Sequence, residues 1–188
     1  MLLRTLRRYI REIRYKPFIN QNDVVIGSNV SFGKNVEITS NKIRIGDNVR
    51  IGDNVRIRAE EFSIGDYGTL YFDFLVPGPG SLTIGHNFLA GARAMVDALG
   101  GTRIGNNVSV GPATQLWSHA ILPDTLAGAR FTHTKGLTVG DDVWFMAQSV
   151  VAATEVGSRS VADARVFNCL EDGRKPVLFR CACRRCYR

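Results

Sequence analysis

An Ile-Gly or Val-Gly pair returns at near-regular intervals along this 188-residue chain, and that rhythm limits what the chain can fold into. The pair stands at Ile26-Gly27, Ile45-Gly46, Ile64-Gly65, Ile84-Gly85, Ile104-Gly105, Val139-Gly140 and Val156-Gly157. The first five are 19, 19, 20 and 20 residues apart. In most units an apolar or small residue follows six and twelve positions later, as in Ile26/Phe32/Ile38, Ile45/Ile51/Ile57, Ile64/Leu70/Val76, Ile84/Ala90/Val96, Ile104/Val110/Leu116 and Val139/Phe145/Val151. Between Ile45 and Ile57 the hexapeptide Ile-Gly-Asp-Asn-Val-Arg occurs twice in succession.

A period of six is even, so it keeps each apolar residue on one side of an extended strand. The Gly and Asp-Asn between them supply the positive φ that a bend every six residues requires. Three short strands per repeat make a triangular coil. Coils stacked about 4.8 Å apart pair each strand with its equivalent above and below. Seven such coils predict an all-β parallel β-helix about 30 Å tall with an aliphatic interior. The repeat region is expected over residues 21–168.

Composition agrees with one folded domain: 45% of residues are hydrophobic and 22% charged. No run of eighteen apolar residues could cross a membrane as a helix. The net charge of +7 sits at the two ends, with +5 over residues 1–20, +4 over 171–188 and −2 between them. A nearly neutral body argues against a nucleic-acid-binding function. Residues 1–20 read as a basic amphipathic helix, with Leu2, Leu3, Leu6, Tyr9, Ile10 and Ile13 on one face. It either caps the first coil or lies on an anionic membrane surface through residues 2–15. The N-terminus lacks an uninterrupted apolar export segment, so a cytoplasmic location, or one at the membrane surface, is expected. All four cysteines (Cys169, Cys181, Cys183, Cys186) lie in the last 20 residues, where an Arg-rich sequence replaces the repeat. That abrupt change over 169–188 is what a frame-shifted or truncated end would look like. The cysteine spacing offers no fourth ligand nearby, and no metal is expected.

Between Ile104 and Val139 the spacing is 35 instead of 20, so about fifteen residues are inserted after Leu116. Long loops on an economical scaffold tend to carry function. His119 stands where the chain leaves the coil, and imidazole, with an ordinary pKa of about 6.5, suits proton abstraction near neutral pH. The other histidines are His86, at a corner position shared by every coil, and His133, at the far end of the insertion.

In these repeats, and in Gly111-Pro112 followed by Leu116-Trp117-Ser118-His119 and by Asp142-Val143-Trp144, the chain resembles the hexapeptide-repeat acyltransferases. The sugar and xenobiotic O-acetyltransferases are the nearest type. The resemblance implies left-handed coils and an active-site loop at 117–136. It also implies transfer of an acetyl group from acetyl-CoA to a sugar or glycan hydroxyl, with His119 as general base. It assigns Asp97 to the acceptor hydroxyls. Where the family's usual Asn-Phe-Asn segment is replaced by Gly91-Ala92-Arg93, the likeness stops, and Arg93 is expected to meet an anionic sugar. Trp117 and His133, at the two ends of the insertion, are further acceptor contacts by position, and His133 is the alternative base. The resemblance assigns Trp144, Ala147 and Ala164 to coenzyme A, and implies a homotrimer with sites between subunits. An N-acetyltransferase and a catalytically inactive β-helix scaffold are the competing readings. A β-helical carbonic anhydrase would need three closely spaced zinc-binding histidines, which this chain lacks.

Overall fold

The computed structural model describes residues 17–19, 23–124, 129–134, 136–152 and 155–162, with side chains for all of these except 120–124 and 129–133. The helix expected over 2–15, Ala164 and the 169–188 tail lie outside the described residues. The described residues form an all-β parallel solenoid of about seven turns and contain no helix.

Each turn contributes one strand to each of three seven-stranded sheets, here called I, II and III in the order the chain meets them. Sheet I runs from Phe18–Ile19 through Glu37–Thr39, Arg56–Arg58, Leu75–Val76, Met95–Val96 and Gln115–Trp117 to Val150–Ala152. Sheet II begins at Asp23–Ile26 and ends at Glu155–Val156, and sheet III runs from Ser31–Phe32 to Val161–Ala162. The register is that of the repeat, so Ile38 pairs with Ile57, Ile45 with Ile64 and Val110 with Phe145. Like residues therefore stack, and Ile57, Val76, Val96, Leu116 and Val151 form one buried column on sheet I. Parallel strands buried against two further sheets need no polar inner face.

The corners explain the Asp-Asn pairs. Thirteen non-glycine residues have φ between 54° and 63°, and eight of them are Asn or Asp, the types that tolerate this left-handed region best. Their side chains join successive corners, as in Asn35 Nδ2 to Asn54 Oδ1 (3.1 Å) and Asn54 Nδ2 to Asp73 Oδ1 (3.0 Å).

Two expectations change. Ile26, assigned to the core by its period, is 40% exposed, because the first coil has no rung beneath it within the described residues. The 117–136 insertion is not an open loop: Ala120–Asp124 and Ala129–His133 pair as an antiparallel hairpin, from Ala120 opposite His133 to Asp124 opposite Ala129. The chain leaves and rejoins the prism at the same edge, which sets the two arms side by side.

Candidate active site

The edge between sheets I and II is where the repeat is least regular. Its corner is two residues long after Thr39 and Arg58, and longer in the three turns that follow, where Pro77–Gly80, Asp97–Gly101 and then the hairpin intervene. Glycines allow these longer turns to nest. Gly78 and Gly101 have φ of 100° and 83°, and a Cβ on Gly100 would collide with the carbonyl oxygen of Ser118.

One turn of 20 residues separates Asp97 from Trp117, so His119 sits two residues beyond the position directly above Asp97. Asp97 is 1% exposed. Its Oδ2 accepts the Ser118 N–H at 3.0 Å, the Ser118 hydroxyl, and His119 Nδ1 at 2.7 Å. The Ser118 hydroxyl oxygen is itself held by the Gly100 N–H at 2.8 Å, and the Leu99 N–H approaches Asp97 Oδ1 at 3.3 Å. Thr102, turned inward on sheet II, donates its hydroxyl to the Asp97 carbonyl oxygen at 2.6 Å. A carboxylate gathering these donors is an acceptor, so Nδ1 of His119 carries the proton. Nε2 of the neutral ring then keeps its lone pair free for a base's work. The indole of Trp117 stands edge-on to the imidazole, with ring centroids 5.7 Å apart and planes at 75°, and donates from Nε1 to Gln115 Oε1 at 3.2 Å.

The structure thus brings together Asp97, Trp117 and His119. It places Asp97 beneath the histidine, in a buried position with its carboxylate already occupied, whereas the resemblance assigned it to the acceptor. The backbone of His133 lies opposite Ala120, beside His119 at the base of the hairpin. The remaining residues are elsewhere on the chain. Trp144 projects from sheet III and is 54% exposed, and Ala147 follows at the corner between sheets III and I. Arg93, exposed and at φ 59°, occupies that same corner two turns lower. His86 accepts the Asp66 N–H on Nδ1 at 3.0 Å, the corner role that Asp66 itself plays toward Asp47. Ser118 and Gly100 went unread in the sequence. The signal for Ser118 was the 20-residue stack that sets it one residue past Asp97's upper neighbour.

Residues 23–59, the lowest two turns, match a family model described as the hexapeptide repeat of succinyl-transferase. The repeat that this model describes continues in the structure over about seven turns. No curated protein matches the chain.

Proposed function

We propose that the protein is an acetyl-CoA-dependent O-acetyltransferase acting on a hydroxyl of a sugar or glycan. The observation that carries this reading is the contact of 2.7 Å between the buried Asp97 Oδ2 and the partly exposed His119 Nδ1, built where a long insertion leaves the prism. Asp97 fixes the tautomer and ring orientation, and His119 Nε2 takes the proton of the acceptor hydroxyl as its oxygen attacks the thioester carbonyl carbon. An acyl C–O bond forms, the C–S bond breaks, and the proton held on Nε2 passes to the departing sulfur. The products are an acetyl ester and the free thiol of coenzyme A. The acyl chain passes directly to the acceptor, with no covalent intermediate on the protein.

Trp144 and Ala147 supply a surface for the pantetheine arm, since an exposed indole beside a small side chain offers a thin ligand an apolar wall and room to lie flat. Sheet III, which carries Trp144, is the face opposite the edge that carries His119. A site using both residues draws them from different copies of the chain, which supports a homotrimer with shared sites. The segment 1–16 has the composition to cover the apolar lower end, where Val25 and Ile26 are exposed.

The test is thiol release from acetyl-CoA in the presence of a panel of sugars and amino sugars, with His119→Ala in parallel. Hydroxyl-dependent release lost in the variant supports the proposal. Release only with amine acceptors makes the protein an N-acetyltransferase. Absence of both release and coenzyme A binding makes it a scaffold.

A further inference from the structure

We infer that a notch on the same edge, two turns below Asp97, is a subsite for a pyranose ring of an extended glycan acceptor. This inference rests on the transferase reading and adds to it where the chain beyond the reacting sugar is held.

The notch arises from corner length. The corners after Thr39 and Arg58 have two residues each, while Pro77–Gly80 has four and overhangs them. Beneath the overhang lies a solvent-open hollow of about 640 Å³. Gly78 and Pro79 form its upper rim and Thr39 and Asn41 its lower, with Arg58 and Glu60 between. Both charged groups stand ready for a ligand. Among the described residues Glu60 forms no ion pair, and Arg58 has only a loose one, 3.6 Å from Glu37, with its side chain 69% exposed.

An unpaired carboxylate and a loosely held guanidinium two residues apart match a vicinal diol. One hydroxyl donates to Glu60 and its neighbour accepts from Arg58, so both charges are met without a charged ligand. Pyranose rings present such pairs.

The notch and the dyad also share a line. Arg58 lies two rungs below Asp97 on sheet I, about 10 Å along the prism axis. A single sugar cannot fill the notch and reach His119 together. A glycan chain running up the edge can do both.

The experiment is capture of the purified protein on an array of immobilised oligosaccharides and their single-residue counterparts, with Arg58→Ala, Glu60→Gln and His119→Ala compared. Captured oligosaccharides then serve as acceptors in the transfer assay. The inference requires that wild type and His119→Ala bind the same oligosaccharides, and bind them better than single residues. Arg58→Ala and Glu60→Gln, with unchanged melting temperatures, should weaken capture about tenfold or more. They should raise KM for the chain by a similar factor, leaving kcat and the use of a free monosaccharide unchanged. Equal capture of wild type and notch variants, or capture of no oligosaccharide, overturns the inference. Lost capture in the notch variants without any acetyl transfer by wild type would overturn the transferase reading and leave the subsite standing.

Discussion

Trp144 projects from the face of the prism that lies opposite the edge carrying His119. No path inside one chain brings the two side chains to one substrate, because the packed core stands between them. On the proposed shared site, mixing His119→Ala subunits with Trp144→Ala subunits should restore activity that neither has alone. With equal, random exchange about a quarter of the sites regain both residues. Light scattering that shows a monomer, or no recovery after verified exchange, removes the shared site.

Replacing His119 by Ala should lower kcat by about 10²–10⁴-fold with little change in melting temperature, since it removes a base at the rim of the fold. Asp97→Asn should cost a comparable factor by presenting a donor to Nδ1 and so favouring the wrong tautomer. Asp97→Ala should in addition destabilise the fold by about 1–3 kcal/mol, because the Ser118 N–H and hydroxyl lose their acceptor. Steady-state kinetics and thermal unfolding on the same samples separate the two effects.

Gly100→Ala should reduce activity even though the residue touches no substrate. Its new methyl group collides with the Ser118 carbonyl and displaces the residue that links Gly100 to Asp97. Gly157→Ala is the matched control, because a Cβ there meets nothing within 4 Å. Equal activity of the two variants would show that the corner does not hold the dyad in place.

Ile51→Ala should cost about 2–5 kcal/mol, and Ile51→Asp should abolish soluble expression, since the side chain lies buried between Phe32 and Leu70 in the stack. A well-folded Ile51→Asp protein would contradict the register.

The Arg44 guanidinium, 2.6 Å from Asp23, holds that carboxyl below its usual value. A group lowered in this way stabilises the fold above its unfolded pKa, and loses that contribution as pH falls through its folded value. Arg44→Ala should move the Asp23 titration upward by carboxyl NMR. The small gap in melting temperature between variant and wild type should shrink as the solution is acidified, and salt should shrink it further.

The period of the repeat made most of the fold legible. It gave the inward columns, the corner residues and the place of the insertion, because each follows from local alternation and turn chemistry repeated along one axis. Three things lay beyond it. The exposure of Ile26 depends on what stands below it, which periodicity within one coil does not encode. The hairpin arms carry Pro123 and no tight-turn dipeptide, so nothing local announced their pairing. The place of Asp97 beneath His119 required counting a full turn upward from a residue that the resemblance assigned to the acceptor.

Each strand hydrogen-bonds to its counterparts one repeat before and one repeat after, so length along the axis comes only in whole turns. Up to Ile104 the protein is in this sense a ruler graduated in steps of 19 or 20 residues. The interval between Arg58 and Asp97 is two graduations, and it is written in the gene as a number of repeats rather than in any side chain. Duplicating residues 65–84 adds one turn in the same register and leaves the dyad and the Gly78–Pro79 rim untouched, while moving the dyad one graduation, about 4.8 Å, further from Arg58. Descendants of such a chain could lengthen the span of what they hold by gaining a turn, without redesigning either end of it.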